Sequence, residues 1–156
     1  MRFPAGFGVL VFLIAGPVFI CRGNATEESQ RDTQPIDSFI QLMESPYRSK
    51  WQKPEEVVDA LAIKKGDSVA DIGAGSGYFT AILARKVGVN GKVYAVDIEK
   101  RMLEHVANKA KKEGLNNIEF ILSKTDDPLL PIASMDLIFV CNTYVYLEKR
   151  DSYVKM

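Results

Sequence analysis

The run Asp71-Ile72-Gly73-Ala74-Gly75-Ser76-Gly77 carries the densest chemical pattern in this chain. Three alternate glycines permit positive φ and remove side chains, so a ligand can lie against bare backbone. Ser68 to Ile72, ahead of them, is a short apolar run that reads as a strand. Tyr78 to Val87, behind them, reads as a helix that buries Phe79, Ile82, Leu83 and Val87. The start of such a helix offers unpaired N–H groups and a positive dipole end to an anionic group. Strand, glycine turn and helix together form a nucleotide-type site at the carboxyl edge of a parallel sheet. Asp97 closes the next strand, Val93 to Val96, 20 residues after Gly77. An acid there accepts hydrogen bonds from ribose hydroxyls, and its competing role is to cap the following helix.

Composition narrows the remaining chemistry. The chain has 156 residues, 47% apolar and 26% charged, with a net charge of zero. That is room for one globular domain with a buried core. There is no basic excess to release counterions from nucleic acid, so no nucleic-acid partner is expected. Cys21 and Cys141 are too far apart and too few for a disulfide framework or zinc spacing. His105 is the only histidine, so no metal site is expected, and it reads as a solvated side chain on a charged helix.

The elements that must position the site follow a leader. Arg2 precedes an uncharged run from Phe3 to Ile20, and Gly23-Asn24-Ala25 supplies small residues at a cleavage position after Ala25. Residues 1–25 therefore read as a signal peptide, with export to a periplasmic or secreted location. The alternative is a membrane anchor, since about 18 apolar residues is just long enough to span. Residues 26–50 read as a polar linker followed by a short amphipathic helix from Ile36 to Met43, ended by Ser45-Pro46. Pro54-Glu55-Glu56 starts another helix, with Val57, Val58, Leu61 and Ala62 as its stripe. Further on come a helix from Glu99 to Glu113, a strand at Ile118–Leu122, a strand at Met135–Cys141 and a final helix from Glu148. Strands alternating with helices imply an α/β unit built on a parallel sheet.

The glycine spacing departs from the dinucleotide pattern G-x-G-x-x-G, and Asp71 stands two residues ahead of the first glycine. Asp-x-Gly-x-Gly-x-Gly here resembles the first motif of class I S-adenosylmethionine-dependent methyltransferases. The resemblance covers about residues 51 to 150 and implies a Rossmann-like sheet with helices on both faces. It implies S-adenosylmethionine as cofactor, with Asp71, Gly73, Gly75 and Gly77 around the methionine part and Asp97 and Ile98 at the ribose. Ser123 to Pro131 resembles the acidic loop that contacts the adenine amino group in this family, with Asp126 as the matching acid, though Asp126-Asp127-Pro128 is equally an ordinary turn. Helices ahead of the first strand often cover the cofactor, so by resemblance Trp51 or Tyr47 lines the site, or both simply pack against the sheet. Asn142 and Tyr144 match two of four positions of an acceptor motif found in amino-group methyltransferases.

Residues 51–156 supply four of the seven strands such a sheet carries, so the domain is expected to be C-terminally incomplete. The last strand is then left as an apolar edge open to pairing. The implied function is methyl transfer to an acceptor, a small molecule or a protein, that the sequence does not identify. Two alternatives use the same fold differently: an aminopropyl transferase and an NAD-type oxidoreductase. A third is a non-catalytic cofactor-binding or interaction fragment of an exported protein.

Overall fold

The computed structural model describes residues 8–12, 36–147 and 150–153. Most of the segment read as a leader, and the polar stretch up to residue 35, lie outside the described residues. Five strands, Gly8–Phe12 (β1), Ser68–Ile72 (β2), Lys92–Asp97 (β3), Ile118–Leu122 (β4) and Leu137–Cys141 (β5), form one parallel sheet in the order β1-β5-β2-β3-β4. The chain direction across the sheet therefore reverses between β2 and β5, and this is where α/β sheets open a ligand crevice.

Period-two alternation sorts the strand side chains onto two faces. Val69, Val93, Leu137 and Phe139 face one side, where they meet Val58, Leu83, Ala84 and Val87. Ala70, Ile72, Tyr94, Ile138 and Val140 face the other. The first face is covered by Pro54–Ala60 (α3), Thr80–Val87 (α4) and Lys100–Lys112 (α5). The second is covered by Leu130 and Met135 of the long loop, by Leu147, and by Tyr153 of the short helix Arg150–Tyr153 (α6). β5 is buried along its whole length, as its continuous apolar run requires. A reciprocal pair fixes its start: Asp136 N–H donates to Ser68 O, and Ser68 N–H donates to Asp136 Oδ2, each at 2.8 Å.

Two departures from the sequence reading have clear causes. Tyr47 to Gln52, read as a connection, belongs to a helix, Pro46–Gln52 (α2), that follows Ile36–Met43 (α1) directly. Pro46 ends one helix because it disfavours helical Ser45, and it also starts the next at its first position. Ser45 Oγ caps that start by accepting the Tyr47 N–H. A domain boundary at residue 51 therefore cuts through α2. The second departure is at the edge. β1, within the segment read from sequence as a leader, pairs in register with β5 from Gly8–Leu137 to Phe12–Cys141 and covers the edge that four strands alone would leave open. Among the described residues no helix is long and apolar enough to cross a membrane.

His105 is also less solvated than its charged helix implies. It sits half-buried beside Glu44, 3.4 Å from Oε1, while Lys109 Nζ lies 2.6 Å from the same oxygen. Burial pushes the Glu44 carboxyl up, but Lys109 and His105 outweigh it and hold the group below its usual range. This cluster ties the chain after α1 to the outer helix α5.

Gly77 (φ +73°) permits the close approach of α5 to the turn. A Cβ there would lie 2.8 Å from Val106 Cγ1 and 3.0 Å from Cγ2. Val106 cannot swing away cheaply, because a β-branched side chain in a helix has essentially one rotamer. Left-handed backbone adds about 1–2 kcal/mol for an L-residue and overpacking about 1–3 kcal/mol. Gly77→Ala should therefore lower stability by about 2–5 kcal/mol, read as a lower urea midpoint with an unchanged slope.

Candidate functional site

The glycine turn is held by the end of the neighbouring strand. Gly73 N–H and Ala74 N–H both donate to the Val96 carbonyl, at 2.8 and 3.0 Å. Gly75 N–H donates to Asp97 Oδ2 at 2.7 Å, and Asp97 Oδ1 accepts the Glu99 N–H at 2.9 Å. Asp97 is thus a brace for the turn and for the entry to α5, while Glu99 itself caps that helix by accepting the Arg101 N–H. An ionised carboxylate has about four acceptor positions, so even with N–H bonds from Gly75, Glu99 and Ile98 it keeps capacity for a ligand hydroxyl. Burial raises the Asp97 carboxyl above its ordinary range, and the N–H bonds from Glu99, Gly75 and Ile98 pull against that.

A cavity of about 630 Å³ opens over the carboxyl ends of β2, β3 and β5. Of the positions singled out in the sequence, Asp71, Gly73, Gly75, Asp97, Ile98 and Asn142 line it. Tyr47 and Trp51 line it as well, from α2. Three expected positions stand outside the lining. Gly77 meets α5, as described. The loop presents Ser123, Lys124 and Thr125 to the cavity, and Asp126 follows just beyond them. Tyr144 packs into the second core with the Arg150 guanidinium 5.2 Å from its ring centre, and Tyr146 lines the cavity in its place. Tyr144–Tyr146 is a 3-10 turn, in which successive residues rotate by about 120°, so residues 144 and 146 face different ways. Asn142 starts that change of direction in left-handed backbone, φ +59°.

The lining glycines give up their side-chain space to other parts of the wall. A Cβ on Gly73 would sit 2.1 Å from Thr143 Oγ1, and one on Gly75 would sit 2.9 Å from Met43 Sδ of α1. The turn is therefore closed over by α1 on one side and by the residues after β5 on the other.

Beneath the cavity lies a buried polar cluster that the sequence reading missed. Gln52 is 1% exposed; its Nε2 donates to Cys141 Sγ at 2.9 Å and its Oε1 accepts from Arg48 Nε. Arg48 Nη1 donates to the Met43 carbonyl at 2.9 Å. The signal was present in the Ser45-Pro46 helix start, which puts Arg48 and Gln52 one turn apart on the same helix face. Cys141 is buried, as expected, and burial foremost pushes its thiol up to about 11.

Asp71 is 3% exposed and its carboxyl is pushed up to about 6. Burial is the main cause. The Thr80 hydroxyl, donating to Oδ2 at 2.6 Å, opposes it; the Asp97 charge raises the value further and Arg48 lowers it.

A glycine turn with an acid two residues ahead, at the switch point of a parallel sheet, defines a Rossmann-like domain for a nucleoside cofactor. A family model described as a methyltransferase domain matches residues 69–155, and the chain belongs to that family. It is 32% identical over 84 residues to a protein-L-isoaspartate O-methyltransferase of Ignicoccus hospitalis, covering 54% of this chain and 40% of that protein. It is 33% identical over 91 residues to the aklanonic acid methyltransferase DauC of a Streptomyces species, covering 58% and 41%. A SAM-dependent methyltransferase from Aquifex aeolicus superposes with a TM-score of 0.69 at 33% identity, covering 74% of this chain and 62% of that one. The chain thus spans about two fifths of the length of these curated relatives. The cofactor of the family is S-adenosylmethionine, and the cavity suits it: bare glycine backbone, an acid at the end of β3, and a volume fit for a nucleoside with an amino-acid tail.

The raised Asp71 value links stability to pH. Between about pH 4 and 6 the folded chain binds more protons at this site than the unfolded chain, so stability falls as pH rises through that window. Asp71→Asn keeps the shape without the charge. Without cofactor it should match the wild type near pH 4 and exceed it at pH 7 by on the order of 2–3 kcal/mol, checked by denaturant melts at both pH values.

Proposed function

We propose that this chain binds S-adenosylmethionine in the cavity above β2, β3 and β5 and serves methyl transfer to a small organic or protein acceptor. The observation that carries the reading is the meeting of three features in one wall: the bare turn at Gly73 and Gly75, the buried acid Asp71, and Asp97 braced against the turn. When bound, the cofactor supplies an electrophilic methyl group on a sulfonium that already carries its leaving group. The protein's part is then alignment and exclusion of water. Asp97 holds the ribose hydroxyls with its spare acceptor positions. The Gly73–Gly75 backbone admits the thioether chain, and Ser123 to Thr125 border the base.

The acceptor side is the wall of Phe39, Leu42, Tyr47, Trp51 and Tyr146, all lining the cavity and all exposed to solvent. Such a wall favours an apolar or aromatic acceptor. A polyanion would need basic groups, and Arg48 and Lys124 are the only Lys or Arg residues among those lining the cavity. Asn142 lies at the same mouth and supplies a polar atom that could orient an acceptor.

Calorimetric titration should show saturable binding of S-adenosylmethionine and none of NAD, with Asp97→Ala weakening the former about tenfold or more. Binding of NAD instead would make the chain an oxidoreductase-type domain. Binding without turnover on any acceptor would support a cofactor-binding module.

The leader supports export after cleavage at Ala25, or anchoring if uncleaved. A cleaved chain loses β1 and bares the β5 edge, whereas retention keeps the sheet as described. The intact mass of the protein recovered from its producing cells should show the loss of residues 1–25.

A further inference from the structure

Arg48 stands out among the charged groups of the cavity. It is half-buried, and each partner it has is neutral: the Gln52 carboxamide, the Met43 carbonyl, the Cys141 thiol, and the face of Tyr78, whose ring centre is 4.3 Å from the guanidinium carbon. Among the described residues no carboxylate forms an ion pair with it, although its charge is felt at Asp71. A guanidinium carries five N–H donors in a fork that matches a carboxylate. Gln52 and Met43 take two of them and the Cys141 sulfur engages the group as well, which leaves donors over; these contacts, with the stacking on Tyr78, fix the orientation of the fork.

Its place in the fold says which part of a ligand it would meet. Asp97 closes β3, on one side of β2; Cys141 closes β5, on the other, and Arg48 lies against Cys141 and over Tyr78. The glycine turn after β2 lies between them. The cavity is thus polarised, with an acceptor carboxylate at the ribose end and an unpaired cation at the far end. A ligand that spans it should carry hydroxyls at one end and an anion at the other.

We propose that Arg48 binds the α-carboxylate of the cofactor's amino-acid tail, with Gln52 as a positioning residue that holds the guanidinium in place. This rests on the cofactor reading above. Gln52 is buried and bonded to both Arg48 and Cys141, so it fixes α2 to the end of β5 and sets the height of the fork above the turn.

The test compares S-adenosylhomocysteine with 5′-methylthioadenosine, which keeps the nucleoside and thioether but lacks the amino-acid group. Arg48→Met should weaken S-adenosylhomocysteine about tenfold to a hundredfold, the size of a lost charge-assisted pair, and leave 5′-methylthioadenosine unchanged. Arg48→Lys should recover part of the loss, since it keeps the charge without the fork. An equal loss for both ligands would reduce Arg48 to a strut for α2 and overturn the proposal. So would unchanged affinity for S-adenosylhomocysteine, the result expected if the guanidinium waits for a carboxylate on the acceptor. A wild type that binds neither ligand would instead remove the cofactor reading itself. Should Arg48→Met fail to fold, the wild type decides alone: decarboxylated S-adenosylhomocysteine, with its amine kept, should bind about tenfold or more weakly, and equal binding refutes the pairing.

Discussion

The site depends on one constraint: the glycine turn has to be held open against the end of a strand it does not belong to. A turn with alternate glycines at positive φ makes no regular ladder of its own, so its N–H groups need outside acceptors. The Val96 carbonyl takes two of them and the Asp97 carboxylate takes a third. The same carboxylate sets the entry to α5 through Glu99 N–H. Strand end, turn and helix start are therefore one hydrogen-bonded unit, and the walls contributed by α1, α2 and the segment after β5 close around it.

What the sequence revealed was whatever depends on short-range pattern. β2, β3 and β4 begin and end close to where alternation and turn residues place them, and the wall from Asp71 to Gly75 needs nothing beyond the motif to be located. Tyr144 shows where that reasoning stops. Two residues of 3-10 turn decide which tyrosine looks into the cavity, and no periodicity extends over so short an element. Asp126 is similar, since the exposed face of an irregular loop is set by its packing. Arg48 and Gln52 escaped for another reason. Their meaning comes from Cys141, which is remote in sequence and adjacent only once the sheet has formed.

The electrostatics of the cavity floor also follow from long-range placement. Asp71 lies in β2 between β3 and β5 and is almost wholly buried, so water cannot stabilise its charge, and among the described residues the Thr80 hydroxyl is the side chain that bonds it. Asp97 lies near enough to be felt as a like charge. Arg48 is the counterweight. A ligand bearing both an ammonium and a carboxylate would complement the acid and the cation together.

The Gln52–Cys141 contact has a consequence for the order in which the molecule assembles during synthesis. α1 and α2 leave the ribosome early, yet the partner of Gln52 sits 89 residues later in the chain. At the usual pace of translation that interval is roughly 5–20 seconds. Until β5 arrives, Gln52 lacks its thiol partner, and α2 has only earlier residues such as Tyr78 to pack against. The bond that fixes α2 to the end of β5 therefore cannot form until long after the helix itself has been made.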